Sequence, residues 1–209
     1  MTRYQIVAAG FAVVMLLAHR AAAEAYDYEG FQDIHAMQGV DVLVTIGSDY
    51  AVELVSGDAQ RARVELNDDK LTLGRQRNVG INIDTVPSHR LVYEVTLPEL
   101  SAAETSSGAE LVIEGLKGGD LALDASSGSD LQASGRCDRL QASTSSGAVI
   151  KALELSCAQA ELSASSGSKI SVTVTEELSA HASSGGSIRG SGNPSKQDVR
   201  TSSGGRVDI

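Results

Sequence analysis

Along the second half of the chain, apolar and polar residues alternate with a period of two, and the alternation itself recurs about every 19 residues. The tripeptide Ser-Ser-Gly marks the recurrence. It begins at Ser106, Ser126, Ser145, Ser165, Ser183 and Ser202, at intervals of 20, 19, 20, 18 and 19 residues. Five residues after each first serine stand Leu111, Leu131, Ile150, Ile170, Ile188 and Val207. Two positions further on are Ile113, Ala133, Ala152, Val172, Gly190 and Ile209, and the column between them, Val112 to Asp208, is mostly polar. Three residues ahead of the serines the apolar column returns as Leu123, Ala142, Leu162, Ala180 and Val199. Period-two alternation is a strand with one buried face, and self-similarity at a fixed short period is a stack of supersecondary units. Each repeat predicts two short strands joined by turns, with equivalent strands stacked in parallel. The expected fold is all-β: a parallel β-helix of about six short coils over residues 101–209, rising roughly 4.8 Å per rung.

The Ser-Ser-Gly belongs at a corner, where glycine permits positive φ and serine hydroxyls bond nearby backbone. Carrying the strand parity through the corner places the second serine inward and the first outward, as two hydroxyl ladders. The functional counterpart is a flat serine array that binds a regular surface such as a polysaccharide or ice. Cys137 and Cys157 each sit eight residues before a Ser-Ser-Gly, so they share a column on adjacent rungs. Rung spacing lies inside the Cα range of a disulfide, and closing a loop of this length stabilises by roughly 3 kcal/mol. With no histidine or further cysteine spaced to join them, the pair reads as a staple rather than a metal or catalytic site.

Residues 24–100 have a different texture, expected as an N-terminal β cap continuous with the coil. Gly39 to Gly47 alternates cleanly, with Tyr50 to Val55 as its expected hairpin partner. Val64–Leu66 and Lys70–Leu73 flank the turn Asn67-Asp68-Asp69, and Leu91 to Leu97 is a strand ended by Pro98. Ahead of this segment, Arg3, the apolar run Ile6 to Ala18 and Ala21-Ala22-Ala23 follow the order of a secretory signal peptide over residues 1–23, too short for a membrane span. Cleavage after Ala23 fits best, with Ala25 as the alternative; no cysteine lies nearby for a lipid anchor and no second segment is able to cross a bilayer. The expected location is the periplasm or the exterior, where oxidation of the cysteines is favoured. Removing residues 1–23 takes away Arg3 and Arg20 but no acid, moving the net charge from −10 to −12. Such a surface repels phosphate backbones and counts against a nucleic-acid partner. Tryptophan is absent and aromatic residues make up 3% of the chain, so a stacking platform for sugars or bases is thin.

A resemblance now carries further. The order Phe31…Ile34…Gly39-Val40-Asp41-Val42…Tyr50-Ala51-Val52-Glu53-Leu54, then Val95-Thr96-Leu97-Pro98, then the Ser-Gly coils, resembles the putative autotransporter-adhesin head GIN domain family over nearly the whole mature chain. The resemblance implies an exported bacterial β-helix of right-handed sense with an N-terminal β cap. It supplies no catalytic residues.

The chain holds no Gly-x-Ser-x-Gly elbow, no His-Glu-x-x-His and no phosphate-binding Gly-Lys-Ser/Thr loop. His35, His89 and His181 stand in dissimilar contexts and read as surface or strand-edge residues. The sharper candidate is Glu110 with Asp130, which share a column four residues after the first serine; Asp120 and Asp124 lie between them in sequence. Two acids at rung spacing can raise one another's pKa or hold Ca²⁺. The same column continues as Val149, Lys169, Ser187 and Arg206, as a solvated face does. The expected function is therefore a non-catalytic binding or assembly module without a cofactor, with a polysaccharide or an envelope protein as partner. The alternative is a polysaccharide-binding or polysaccharide-cleaving protein using the Glu110/Asp130 face. The last coil, ending at Val207-Asp208-Ile209, is expected to be a sticky edge that pairs with a second copy or a partner strand.

Overall fold

The structure is a computed structural model that describes residues 23–76 and 90–209. The expected signal peptide falls on residues outside the described ones, apart from Ala23, and so does His89. Apart from one short 3-10 turn, Ala59–Arg61, every regular element among the described residues is a strand. The first seven are β1 (Glu24–Tyr26), β2 (Asp33–Met37), β3 (Asp41–Ile46), β4 (Ala51–Ser56), β5 (Ala62–Asn67), β6 (Lys70–Arg75) and β7 (Val92–Leu97). The Ser-Ser-Gly region adds β8 (Ala102–Ser106), β9 (Glu110–Lys117), β10 (Asp120–Ala125), β11 (Asp130–Thr144) and β12 (Val149–Ala164). It closes with β13 (Lys169–Ala182), β14 (Ser187–Ser191), β15 (Lys196–Thr201) and β16 (Arg206–Asp208).

Strands that lead into a corner stack in parallel as one face: β6, β2, β8, β10, the second halves of β11, β12 and β13, then β15. Strands that leave a corner stack as another: β7, β3, β9, the first halves of β11, β12 and β13, then β14 and β16. These are the entry face and the exit face of a β-helix, the fold the 19-residue period predicts. Three antiparallel strands finish its N-terminal end: β5 on β6, β4 on β7 and β1 on β4. The parallel stack itself begins inside residues 24–100, because β2 and β3 lie directly against β8 and β9.

The predicted inward columns are the core. Leu111, Leu131, Ile150 and Ile188 are fully buried, as are Ile113, Ala152 and Val172. Two expectations need correction. At every Ser-Ser-Gly the second serine takes positive φ, from 47° to 54°, followed by glycine at 69° to 78°. An amide-to-carbonyl bond from the next residue closes each turn, as from Ala109 N–H to the Ser106 carbonyl at 3.2 Å. That is the backbone of a primed turn. It rotates the second serine outward, and Ser107, Ser127, Ser146 and Ser166 are exposed. Strand parity does not survive two left-handed residues. The corner ladder is carried by backbone: at the first five corners the glycine N–H donates to the second serine's carbonyl in the next coil, 3.1–3.2 Å away. Secondly, Tyr50 to Val55 does not return on β3. Both edges of β3 are taken by β7 and β9, so β4 pairs outside β7.

The hydroxyls that do point inward follow the glycine. Ser129 Oγ lies 2.8 Å from the Ser126 carbonyl and 2.9 Å from Thr105 Oγ1, and both Ser129 and Thr105 are buried. Thr144 and Ser168 repeat the pair two rungs on, at 2.8 Å. Buried hydroxyls placed this way satisfy one another and their own corner carbonyls. In the middle coils the second bend is also not a separate turn, whereas β9 and β10 part at Gly118-Gly119. In β11, β12 and β13 one continuous strand bends from exit to entry face, through register shifts between Gln132 and Gly135 in β11 and between Ala152 and Ser156 in β12. Just past the bend, Cys137 and Cys157 are register partners joined by a disulfide with a Cα separation of 4.6 Å.

Candidate functional site on the outer faces

Outward positions on the exit face form columns whose charge is segregated along the stack. Glu94 on β7, Asp41 on β3, Glu110 and Glu114 on β9 and Asp130 on β11 make the N-terminal half acidic. Lys151 on β12, Lys169 on β13, Arg189 on β14 and Arg206 on β16 make the C-terminal half more basic, although Glu154 stands beside Lys151 on β12. Asp208, on the last rung, is held by Arg206 at 2.7 Å.

Glu110 and Asp130 are register partners, as their spacing predicts, and Asp41 extends the row on the far side of Glu110. Asp41 escaped sequence reasoning because its corner is Gln38-Gly39 rather than Ser-Ser-Gly. Both flanking acids are engaged: Asp41 Oδ1 lies 3.0 Å from Arg90 Nε, and Asp130 Oδ1 lies 3.2 Å from Lys151 Nζ. Burial holds the Asp41 carboxyl above its ordinary value; Arg90 opposes this and Glu110 adds to it. Asp120 and Asp124 lie away from this row, on the entry face, where β10 packs between β8 and β11. Among the described residues no group of three His, Cys, Asp or Glu side chains could hold a metal ion.

The entry face carries a smaller feature. Ala102 and Ala122, outward on neighbouring strands, floor an open depression of about 190 Å³ rimmed by Glu104, Asp124, Gln141 and Ser143. Ser143 donates a hydrogen bond to Asp124 Oδ2. Beside the depression, Lys70 Nζ lies 2.7 Å from Glu104 Oε1, His35 Nδ1 lies 3.8 Å from Glu104 Oε2, and His35 Nε2 lies 3.2 Å from Ser106 Oγ. Serine, histidine and carboxylate thus touch in the order of a hydrolytic triad. Glu104 gives its shorter contact to Lys70, however, so the group ties three rungs together rather than orienting a base. Sequence reasoning missed it because His35 and Glu104 are brought together only by the stacking of β2 on β8.

Burial lowers the His35 pKa below the ordinary imidazole value, against the pull of Glu104; Lys70 and Arg63 act with burial, and Asp124 against it. The unfolded chain therefore binds the extra proton first. This group's contribution to stability is intact above about pH 6.5 and is lost as the pH falls from there toward the folded value. Thermal unfolding followed from about pH 8 to pH 5 is expected to show a falling midpoint, and His35→Gln to flatten that fall. An identical slope in the variant would remove His35 as its cause.

Neither face offers an aromatic platform. Beyond Tyr50 the only aromatic residue in the sequence is Tyr93, which is fully buried. No described helix is long and apolar enough to cross a membrane.

Solved structures share the fold. A protein from Bacteroides fragilis described as a putative adhesin superposes with a TM-score of 0.69 at 16% identity, covering 90% of this chain and 95% of its own. A putative adhesin from Parabacteroides distasonis gives 0.54 at 16% identity, with 90% and 95% covered. A putative lipid binding protein from the same species gives 0.51 at 14% identity, with 90% of this chain and 96% of its own covered. No curated protein matches the chain. Over residues 30–194 the sequence fits the model of one family, and the chain belongs to it: putative auto-transporter adhesin, head GIN domain.

Proposed function

We propose that the protein acts outside the cytoplasm of a bacterium as a non-catalytic binding module, and that its entry face recognises an extended, hydroxyl-bearing polymer of the cell envelope. The observation that carries this reading is the depression floored by Ala102 and Ala122. At about 190 Å³ it is smaller than the pockets that enclose drug-sized ligands, which begin near 300 Å³. It fits one side group of a longer chain lying along the rungs. Glu104, Asp124, Gln141 and Ser143 supply acceptors and donors for hydroxyl or ammonium groups. The family description and the disulfide both support an oxidising compartment.

The test presents the purified protein to a panel of envelope and acidic polysaccharides, scoring binding and release of new reducing ends together, with and without calcium. Binding without cleavage is expected. Ala122→Arg, which fills the depression from an outward position, is expected to abolish it, while Glu110→Gln with Asp130→Asn leaves it unchanged. New reducing ends that vanish in the Glu110/Asp130 variant would replace this reading with polysaccharide cleavage on the exit face. Binding to no member of the panel would overturn the polymer as ligand.

A further inference from the structure

On the last rung each face ends on a strand with one edge in use. Among the described residues β15 pairs only with β13, and β16 only with β14. Ser202 N–H donates to the Ala182 carbonyl at 3.0 Å, and Arg206 N–H to the Gly186 carbonyl at 2.9 Å. Backbone groups of successive strand residues point to opposite edges. Asp198 and Arg200 therefore turn theirs toward β13, and Asp208 turns its own toward β14. Gln197, Val199, Thr201 and Val207 turn theirs to the open edge. The side chains of Val199 and Val207 continue the inward columns, and Val199 is 43% exposed with no described rung over it.

Both valines stand between opposite charges, in Asp198-Val199-Arg200 and Arg206-Val207-Asp208. When a strand pairs antiparallel with its own copy, centred on one residue, the neighbour before it faces the neighbour after it on the same side of the sheet. Centring on Val199 sets each Asp198 opposite the other copy's Arg200, and centring on Val207 does the same for Arg206 and Asp208. Along the strand, Arg200 Nη2 already lies 2.8 Å from Asp198 Oδ2, so the pairing closes a square of alternating sign. The charge order and the backbone direction are independent observations, and both select a valine as the centre. We infer that the last rung joins two copies of this chain end to end, β15 adding to β15 across a two-fold axis. The axis lies in the plane between the two end rungs, perpendicular to the stack and to β15. Val199 of each copy exchanges N–H and C=O bonds with Val199 of the other, and Gln197 does so with Thr201. The Gly205 N–H bond to the Ser202 carbonyl turns the chain back, so β16 runs opposite to β15 and the same axis crosses it near Val207. The inward columns then run through the joint, and each entry face is prolonged by the other.

Sedimentation of the purified protein without any polymer tests this through a charge swap. One rung end is a small contact, below the roughly 1,200 Å² of stable interfaces. The wild-type protein is therefore expected to dimerise weakly, with a Kd on the order of 100 μM. Asp198→Arg alone and Arg200→Asp alone each set like charges against each other twice across the axis. Each is expected to weaken self-association by about tenfold or more. Mixing the two single variants sets arginine opposite aspartate at both contacts, and the mixture is expected to dimerise as tightly as the wild type. That recovery cannot come from a variant that has failed to fold. Val199→Pro removes an N–H that points to the open edge and takes no part in the ladder with β13. It is expected to abolish the dimer while leaving the unfolding midpoint of the monomer near that of the wild type. A wild-type protein still monomeric at about 1 mM would overturn the inference. So would a mixture that recovers nothing, or a dimer that survives Val199→Pro. None of these failures bears on the entry face as a polymer site.

Discussion

Gly135→Ala is expected to destabilise the protein by about 3 kcal/mol or more, with a shift of the unfolding midpoint on the order of 10 °C. Two independent effects coincide there. The residue has φ of +120°, a conformation that side-chain-bearing residues rarely adopt. A Cβ at this position would also lie 2.2 Å from the Leu116 carbonyl oxygen and 2.7 Å from the Leu116 nitrogen, both backbone atoms of the neighbouring rung. Neither can move without breaking the parallel ladder between β9 and β11. Gly147→Ala is the control. It sits at a Ser-Ser-Gly corner with φ of +76°, but nothing lies within 4 Å of its would-be Cβ. Its cost is that of the backbone alone, about 1 kcal/mol. Urea midpoints for the two variants are expected to differ about threefold in ΔΔG; equal losses would show that the bend at Gly135 relaxes.

Removing the disulfide with Cys137→Ala and Cys157→Ala together is expected to cost about 3 kcal/mol, the entropy of a loop of this size in the unfolded chain. The cysteines are 20 residues apart and only 5% and 1% exposed. Reductant should therefore reach them only when the rungs β11 and β12 separate, and reduction of the native protein should follow opening rather than precede it. In a stack whose rungs touch only their neighbours, loss of one staple weakens the interface it spans most. Protection of the β11 and β12 amides in hydrogen exchange is expected to fall more than that of β2 or β3. A uniform fall would show that the stack opens as one unit.

The coil was legible because its signal is additive. Six copies of an alternating column leave little freedom in register, and Leu111, Leu131 and Ile150 landed in the core as read. What escaped was either unrepeated or non-local. Gln38 and Gly39 turn the chain with φ of 63° and 69°, as the serine corners do, yet share no serine with them. The rung β2–β3 was thereby read as part of a cap. The partner of β4 depended on the chain running on through β5 and β6 before β7 filled the edge of β3, which no local pattern encodes. The direction of the corner serines failed for a third reason: alternation predicts sidedness only where the backbone stays extended. At the candidate site, the row Glu110–Asp130 was readable from spacing, whereas Asp41 and the His35–Glu104–Lys70 group arise from pairings between distant segments.

The interior hydroxyl pairs set a unit of length for the middle of the stack. Thr105 bonds Ser129, Thr144 bonds Ser168, and the rung between them offers alanine at the threonine position. Excising one rung, residues 126–144, would strand Thr105 without Ser129 and leave Cys157 without Cys137. Excising two, residues 126–164, would bring Thr105 against Ser168 and remove both cysteines at once. Gain or loss of coils between Thr105 and Ser168 is thus expected in steps of two rungs, changing the length of each face by about 10 Å per step, while the later rungs, with alanine or glycine at these positions, carry no such constraint.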